Sequence, residues 1–282
     1  MNSNKRSIIE YYDTCETDYR LFWDLDHSLA MHAGYWDETT KNLRDALVRE
    51  NKVMAETAEI SASDHVLDAG CGFGGSDIFL AKEYGCRVTG ITLCSKQVER
   101  ATTVALKYGV EGLVTFQIGD FCETSFPDES FDVVWGLESI CHAHDKSKFV
   151  KEAYRLLKRG GRLVVADGFA LQDDYAAKEK NDINKWLKGW GVESLETVSN
   201  FKAHLHTNQF QQITCKDITK NVLPSSKRLY WISFPALVFS KAGELLGFRS
   251  KTQTDNIRAA YYQYTTLKKK LWTYALFSAI KL

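Results

Sequence analysis

The stretch H-V-L-D-A-G-C-G-F-G-G, residues 65–75, decides the fold. Val66 and Leu67 favour a β-strand, and Asp68 marks the point where that strand ends. The glycines that follow allow positive φ and let a ligand approach the backbone closely. The next residues predict a helix, whose N-terminus directs free N–H groups and a positive dipole end at a ligand. A strand, a glycine-rich turn and a helix in this order predict a site for a nucleotide-like or carboxylate-bearing cofactor.

Predicted strands and helices alternate downstream of this stretch. The predicted strands are residues 65–69, 87–92, 113–118, 131–136 and 162–168, and the predicted helices are residues 75–84, 95–108 and 146–158. Two more strands are expected at residues 218–223 and 271–281. The alternation predicts an α/β protein with a seven-stranded, mostly parallel sheet covered by helices on both faces. Ligands of such sheets bind beyond the carboxyl ends of the strands.

The segments on either side of this core are rich in aromatic residues. Residues 5–30 predict a helix whose aromatic face either packs on the domain or closes a binding site. A second amphipathic helix is expected over residues 42–60, and the apolar residues 229–248 indicate a helical cap. The expected organisation is an N-terminal helical lid (1–60), a cofactor-binding core (61–174), an inserted helical cap (175–255), and a closing helix and strand (256–282).

Composition and charge restrict the function classes. The chain has 282 residues, of which 44% are apolar and 26% charged, as is usual for a globular protein with a sizeable core. Its formal net charge is zero, and the sequence contains no basic stripe. Neither feature therefore indicates a nucleic-acid partner. The cysteines form no C-x-x-C pair, which predicts reduced thiols and a cytoplasmic protein.

Several absences are also expected. The N-terminus lacks the apolar core of a signal peptide, and no apolar run reaches membrane-spanning length, so no stable membrane insertion is predicted. The histidines lack the spacing and the accompanying cysteine or carboxylate pattern of a metal site, so no metal is expected. A homo-oligomer formed through the cap is left open.

The glycine turn differs from the dinucleotide-binding fingerprint. Gly70-Cys71-Gly72-Phe73-Gly74 is G-x-G-x-G, whereas the fingerprint is G-x-G-x-x-G with an acidic ribose ligand about 20 residues on. Asp68 can receive the ammonium group of an amino-acid cofactor but would repel a pyrophosphate. The G-D-F at residues 119–121 places a carboxylate where an adenine amino group could be recognised. These features together argue against a dinucleotide and favour a cofactor that carries an amino-acid group.

Four blocks carry a resemblance to a known superfamily. They are the stretch at 65–75, G-D-F at 119–121, F-P-D-E-S-F-D-V-V-W at 126–135 and L-L-K-R-G-G-R-L-V-V at 156–165. In this order and spacing they resemble the class I S-adenosylmethionine-dependent methyltransferases, closely over residues 60–170. The resemblance implies a Rossmann-like fold, S-adenosyl-L-methionine as cofactor, and methyl transfer as the reaction.

Other segments narrow the subgroup. G-I-T-L-C-S-K-Q at 90–97 resembles small-molecule methyltransferases: cyclopropane-fatty-acid synthases, glycine/sarcosine methyltransferases, rebeccamycin-type sugar O-methyltransferases and tocopherol methyltransferases. E-S-I-C-H-A at 138–143 resembles sterol C-methyltransferases and the tocopherol and sugar enzymes. Residues 11–23 and 31–36 are similar to the lid of the cyclopropane-synthase and tocopherol groups, and residues 263–281 to the closing helix and strand of tocopherol- and sterol-like enzymes. The resemblance implies a biosynthetic methyltransferase for small molecules.

The motifs, with the resemblance, predict a set of cofactor contacts. Thr92, Leu93 and Gln97 replace the usual acidic ribose ligand, and His32 and Tyr35 either reach the methionine end of the cofactor or only pack within the lid. The predicted cofactor-binding residues are Asp68, Gly70, Cys71, Gly72, Gly74, Thr92, Leu93, Gln97, Asp120, Phe121, His32 and Tyr35.

Three residues are candidates for catalysis. His142 follows a predicted strand end and is either a general base or a hydrogen-bonded structural histidine. By resemblance to the rebeccamycin-type pattern, Asp167 would orient it, although Cys141 stands where that pattern has another histidine. Glu138 either contacts the substrate, stabilising the cation formed when an alkene is methylated, or caps the local turn.

The aromatic lid and the apolar cap favour a largely apolar or aromatic substrate: a prenyl compound, sterol, quinol or alkaloid-like natural product. C-, N- and O-methylation all stay open. The alternatives are cyclopropane-synthase-like alkene methylation, glycine/sarcosine-type amine N-methylation, and a cofactor-binding module without catalysis.

Overall fold

The N-terminal part of the chain is helical, as predicted. The computed structural model describes residues 3–23 and 25–282. Two helices, α1 (Ser3–Trp23) and α2 (Leu25–Ser28), replace the single helix expected over residues 5–30, of which residue 24 lies outside the described part. After a loop, helix α3 (Leu43–Thr57) begins at Asn42, whose side chain accepts a hydrogen bond from the Asp45 N–H and caps the helix.

Strands and helices then alternate along the chain. The elements are β1 (His65–Ala69), α4 (Gly75–Tyr84), β2 (Arg87–Thr92), α5 (Ser95–Tyr108), β3 (Val114–Ile118), β4 (Phe131–Leu137), α6 (Lys146–Leu156) and β5 (Leu157–Ala170). The largest difference from the predicted bounds is at β5, which begins at Leu157 and not at residue 162. The alternation predicted from the sequence is therefore present.

The C-terminal part mixes helices with two more strands. These elements are α7 (Ala177–Gly189), α8 (Val198–Thr207), β6 (Gln211–Asp217), α9 (Thr219–Leu245), α10 (Lys251–Lys268) and β7 (Trp272–Ile280). Helix α10 begins earlier than residue 256, at a capping box formed by Ser250 and Gln253. The four-part division of the chain stays a prediction, and β6, within the segment predicted to be the cap, is a strand of the sheet.

The strand predicted at residues 218–223 is wrong. Residues 219–223 form the first turn and a half of α9, and the strand precedes them as β6. Ile218 and Val222 are buried whereas Lys220 between them is exposed, which fits one face of a helix and not the alternation of a strand. The carboxylate of Asp217 accepts a hydrogen bond from the Thr219 N–H at 2.8 Å and so favours the start of the helix there.

Within the described residues, seven strands form one sheet in the order β3-β2-β1-β4-β5-β7-β6. Strand β7 runs antiparallel to β5 and β6, and the other neighbours are parallel. This confirms the predicted Rossmann-like α/β fold. The chain turns in opposite directions from β1 towards β2 and towards β4, which opens a crevice at the carboxyl ends of these strands.

Alternate strand residues point to opposite faces of the sheet. Val66 and Val133 belong to one apolar cluster, whereas their neighbours Leu67 and Val134 belong to the other. The first cluster includes side chains of α3, α4, α7 and α10, and the second includes side chains of α6 and α8. Both faces of the sheet are therefore covered by helices, as a buried parallel sheet requires.

The chain between α2 and α3 passes directly over the glycine turn. A Cβ placed on Gly75 would overlap the backbone carbonyl of Leu29. Phe73, from the turn, packs in a separate cluster with the α1 residues Tyr11, Cys15 and Tyr19. The absence of a side chain at residue 75 thus allows the N-terminal segment to close on the turn.

We expect Gly75→Ala to lower the free energy of unfolding by about 1–3 kcal/mol, because the added methyl group has no space beneath Leu29. Urea unfolding measures this change. Gly112→Ala is the matched control, since its Cβ would meet no atom within 4 Å, and it should change the stability by less than about 0.5 kcal/mol. Equal stabilities of the two variants would contradict the close approach, because alanine otherwise favours a helix.

Candidate active site

A cavity of about 370 Å³ lies over the glycine turn, at the carboxyl ends of the parallel strands. The turn, the ends of β2 and β3, the loop after β4, and α1 with its following loop form its wall. Ten of the predicted cofactor-binding residues line it: Asp68, Gly70, Cys71, Gly72, Thr92, Leu93, Gln97, Asp120, Phe121 and His32. Their convergence comes from the sheet topology, which brings successive strand ends to one edge.

The glycine turn is held tightly against its neighbours. Gly70 and Gly72 have φ values of 108° and 52°, which glycine adopts without strain. The N–H groups of Gly70 and Cys71 both donate to the carbonyl of Ile91, each at 3.0 Å. A Cβ on Gly70 would overlap the side chain of Ser139, whose hydroxyl donates to the Ala69 carbonyl at 2.5 Å. Glycine is therefore required where the loop after β4 meets the turn.

Two buried carboxyls lie beneath the cavity. Asp68 is 3% exposed and lines the wall, and Asp77, in the first turn of α4, is completely buried. Within the described residues, no N–H or hydroxyl group donates to either carboxyl oxygen of Asp77, whose neighbour is the Asp68 carboxyl. Burial raises the pKa of Asp68 to about 7, and burial with the nearby Asp68 charge raises the pKa of Asp77 well above its ordinary value. A proton on one of the two carboxyls forms a hydrogen bond to the other. A cation bound at Asp68 would favour the loss of that proton.

Sequence reasoning missed Asp77. An aspartate in the first turn of a helix ordinarily caps free N–H groups in water, so its position gave no reason to expect burial. Its carboxylate packs against Gly90, where a Cβ would overlap it. That contact joins α4 to β2 and is visible only in three dimensions.

Thr92 and Gln97 form a polar pair at the end of β2. The Thr92 hydroxyl donates to Oε1 of Gln97 at 2.5 Å and also accepts from the Cys94 N–H at 3.3 Å. This leaves the amide nitrogen of Gln97 as a donor for a ligand in the cavity. The pair is compatible with the predicted ribose region, because this amide N–H can donate to a ribose oxygen, whereas an acidic residue would accept from a ribose hydroxyl.

Asp120 is already engaged in the structure. One carboxyl oxygen accepts from the Cys122 N–H at 2.8 Å, and the other forms an ion pair with Lys5 of α1. Both Asp120 and Lys5 line the cavity. Recognition of an adenine amino group by Asp120 stays a prediction, and Lys5 is a wall residue that sequence reasoning did not identify.

Two predicted cofactor residues do not line the cavity. Gly74 is the N-cap of α4, and a Cβ there would lie 2.7 Å from the ring of Phe116, so this glycine allows close packing of helix and sheet. Tyr35 is buried in the core, and the guanidinium carbon of Arg49 lies 6.0 Å from the centre of its ring. The geometry favours a packing role for both residues.

A smaller pocket of about 90 Å³ adjoins the cavity, and we call it the inner pocket. Four residues border both spaces: Tyr12, Met31, Glu138 and His142. The rest of its wall is mainly apolar and aromatic, and it includes Trp186, Trp190 and Trp272. Among the described residues that line it, none is Lys or Arg, and the acidic ones are Glu138 and Asp167.

His142 is neutral and has a defined tautomer. Its Nδ1 lies 3.2 Å from the carbonyl of Gly191, which can only accept, so Nδ1 carries the proton. Nε2 therefore accepts a hydrogen bond from the Tyr12 hydroxyl at 2.9 Å. Burial lowers the pKa of His142 to about 4, because the charged imidazolium is poorly solvated there. The imidazole is therefore unprotonated at neutral pH and presents the Nε2 lone pair as an acceptor, although its lowered pKa makes it a weaker base than an exposed histidine.

Asp167 does not orient this imidazole by a hydrogen bond. Its carboxylate accepts from the N–H groups of Cys141 at 2.8 Å and of Gly168 at 2.7 Å, and burial raises its pKa to about 6. The partner of Nδ1 is the Gly191 carbonyl, from the loop after α7. The predicted pairing of His142 with Asp167 is therefore wrong. A hydrogen bond to the backbone of Gly191 takes its place, and no local sequence motif predicts that contact.

Glu138 belongs to a buried network with a second glutamate. Its Oε1 accepts from the Ala33 N–H at 2.6 Å and lies 2.8 Å from the Tyr274 hydroxyl, which is also 2.8 Å from Oε1 of Glu50. The other oxygen of Glu50 accepts from Nδ1 of His32 and from the Gly34 N–H, both at 2.7 Å.

The Tyr274 hydroxyl has one proton and lies near both carboxyls, so its contact with Glu138 is best made by a protonated Glu138 carboxyl. Burial, with the nearby Glu50 charge, raises the pKa of Glu138 well above its ordinary value. Sequence reasoning missed Glu50, although a clue was present. It falls on the buried stripe of α3, between Ala46 and Leu47 on one side and Val53 and Met54 on the other.

Comparison with known proteins agrees with this geometry. Residues 67–165 match the family described as "Methyltransferase domain". The 27-O-demethylrifamycin SV methyltransferase of Amycolatopsis mediterranei (strain S699) is 33% identical over 235 residues, which cover 83% of this chain and 81% of that protein. The chloroplastic tocopherol O-methyltransferase of Arabidopsis thaliana is 29% identical over 237 residues, covering 78% and 67%.

Among solved structures, the geranyl diphosphate C-methyltransferase of Streptomyces coelicolor A3(2), in complex with Mg²⁺, geranyl diphosphate and S-adenosyl-L-homocysteine, has a TM-score of 0.77. It is 19% identical, and the match covers 100% of this chain and 98% of that one, so it shows the shared fold.

The family assignment rests on the matched family and the relatives. The glycine turn beneath a cavity with buried carboxyls agrees with it. The chain belongs to the S-adenosylmethionine-dependent methyltransferases that act on small molecules.

Proposed function

We propose that this methyltransferase acts on a largely apolar or aromatic small molecule that binds in the inner pocket. The observation that carries the proposal is the wall of this pocket, which is aromatic and, over its described residues, free of Lys and Arg. Aromatic side chains favour flat or apolar groups through burial of surface. Prenyl, sterol, quinol and alkaloid-like biosynthetic compounds fit this description.

The larger cavity provides the cofactor site. When bound, S-adenosyl-L-methionine supplies a methyl group on a sulfonium, and the protein supplies orientation and a dry site. Asp68 would bind the ammonium group, Gln97 a ribose hydroxyl, and the open backbone of Gly70 and Gly72 would allow close approach. The buried carboxyl pair of Asp68 and Asp77 supports a cationic ligand over a pyrophosphate.

His142, which lines both the cofactor cavity and the inner pocket, is the candidate general base. O-methylation of a hydroxyl requires a proton acceptor, and Nε2 of His142 faces that border with its lone pair directed at Tyr12. A substrate hydroxyl could take the place of Tyr12 or lose its proton through the Tyr12 oxygen. C- and N-methylation stay open, because an activated ring carbon or a neutral amine uses the same position.

The alternatives receive less support. A glycine- or sarcosine-type substrate carries a carboxylate, which needs a basic partner that the described wall of the inner pocket lacks. Cyclopropane-synthase-like alkene methylation would use Glu138 to stabilise a cation. Glu138 is instead bound to the Ala33 N–H and the Tyr274 hydroxyl, which favours a positioning role.

We also infer a cytoplasmic protein, because all seven cysteines are free in the described structure. Among the described helices, none is long and apolar enough to cross a membrane. A homo-oligomer through the cap and the lack of a nucleic-acid partner stay predictions.

The experiment that tests the proposal is incubation with methyl-labelled cofactor and a panel of quinols, sterols, prenyl compounds, amines and amino acids, analysed by mass spectrometry. We expect labelled product from an apolar or aromatic acceptor. Labelling of glycine or sarcosine alone would refute the assignment of the inner pocket.

Cofactor affinity should rise with pH through about 7, because Asp68 must lose its proton to bind an ammonium group. Below that pH the affinity should fall by up to about tenfold per unit. Asp68→Asn should remove both the tight binding and its pH dependence in calorimetry. Asp174→Asn, at an exposed carboxylate, is the control and should bind as the unmodified protein does. Tight binding by Asp68→Asn would exclude Asp68 from the site.

His142→Ala should lower kcat by about 10²- to 10⁴-fold when the substrate must lose a proton, while the Kd of the cofactor stays unchanged. The measurement is steady-state turnover beside calorimetry. His206→Ala, at an exposed histidine of α8, should have ordinary turnover. Equal turnover by His142→Ala would show that this histidine is structural.

Glu138→Gln should keep the fold and most of the turnover, because glutamine resembles the protonated carboxyl. Glu138→Ala should lower the free energy of unfolding by about 1–3 kcal/mol, since the Ala33 N–H and the Tyr274 hydroxyl lose their partner. Urea unfolding and kcat measurements test both variants. A folded Glu138→Gln without turnover would show that the negative charge itself is catalytic.

A further inference from the structure

Helix α9 has two unlike ends. Near its start, Ser225, Ser226 and Leu229 are buried and line the inner pocket. From Trp231 onward the side away from the protein is apolar, with Phe239 76% and Leu245 89% exposed. We call this surface the apolar face of α9, and it consists of Trp231, Phe234, Val238, Phe239, Leu245, Leu246 and Phe248.

The apolar face is continuous and not a set of scattered residues. Trp231, Phe234 and Val238 follow each other at intervals of three and four, and Leu245 lies seven residues after Val238, which places these four along one side of the helix. Single exposed apolar side chains are ordinary, but a contiguous stripe marks an interaction surface. Trp and Phe predominate, and such rings favour the boundary between water and hydrocarbon.

Basic residues surround the apolar face. Residues 219–252 contain six basic side chains and one acidic side chain, Glu244, whereas the whole chain has 36 of each. Arg228 donates to the Phe22 carbonyl, and Arg249 pairs with Asp18, both on α1. The exposed Lys227, Lys241 and Lys251 form no ion pair with any described residue. The surface therefore combines aromatic side chains with an uncompensated positive charge.

The aromatic side chains and the positive charge together distinguish between two partners for this surface, a second copy of the chain and a lipid bilayer. In a symmetric dimer through the apolar face, each copy would bring the same lysines towards its partner, with only Glu244 to offset them. An anionic lipid surface compensates the lysines and buries the aromatic residues at once, with about 1 kcal/mol for each lysine near the surface. Charge complementarity favours the lipid surface.

We propose that the apolar face of α9 docks on an anionic lipid bilayer, with the helix lying in the interface and not crossing it. The start of the same helix lines the inner pocket, so docking holds that pocket beside the bilayer. The two arginines tie α9 to α1, so docking also places the N-terminal segment there. The inference does not depend on which substrate is methylated.

Co-sedimentation with vesicles tests the proposal. We expect the protein to bind phosphatidylcholine vesicles that contain about 30% phosphatidylglycerol, and to bind pure phosphatidylcholine weakly, with salt reducing the difference. Phe239→Glu and Leu246→Glu should each lower the partition coefficient at least about tenfold. Replacing Lys227, Lys241 and Lys251 by Glu should remove the preference for anionic vesicles.

Leu106→Glu is the matched control, because Leu106 is 58% exposed on α5, outside the apolar face. It should bind vesicles as the unmodified protein does, and loss of its binding would overturn the proposal. Sedimentation velocity without lipid tests the other occupant. A dimer that Phe239→Glu dissociates, together with no vesicle binding, would assign the face to a second copy. Calorimetry with S-adenosyl-L-methionine shows that each variant is folded, so failure here leaves the proposed function intact.

Discussion

The buried hydrogen-bond network that joins Glu138 and Glu50 through the Tyr274 hydroxyl is the constraint on which the site depends. Burying two unpartnered carboxylates is costly, so they need a proton and several donors. The donors come from distant parts of the chain: the Tyr274 hydroxyl on β7 and the backbone N–H groups of Ala33 and Gly34 before α3. The network therefore forms only when the N-terminal segment, the end of β4 and the last strand are assembled together.

A second carboxyl pair, Asp68 and Asp77, lies under the glycine turn. Asp68, Asp77 and Glu138 are all buried and have raised pKa values, so a nearby cation would favour the loss of their protons. The cavity between them is suited to a positively charged ligand, which distinguishes it from the dinucleotide sites built on similar strand–turn–helix units. Proton release from these three carboxyls and binding of a cationic cofactor are therefore linked, and the cofactor binds more tightly at higher pH.

The two spaces have different origins in the chain. The cofactor cavity is built mostly from residues next to strand ends, where local motifs are informative. The inner pocket is assembled from α1, α7, α9 and the ends of β5 and β7, which are far apart in sequence. Relatives that share the first part can differ in the second, so the fold specifies the cofactor and methyl transfer more closely than it specifies the substrate.

The sequence by itself determined the seven-stranded sheet, the glycine turn, the cofactor class and ten residues of the cavity wall, because these depend on short motifs and on periodicity. It predicted the sixth strand at residues 218–223, whereas this strand is Gln211–Asp217 and residues 219–223 begin helix α9. Only the tertiary structure decided the roles of Glu50, Asp77 and Lys5, and gave His142 the Gly191 carbonyl and not Asp167 as its partner. Burial and hydrogen-bond partners are set by contacts between distant segments, which no local pattern contains.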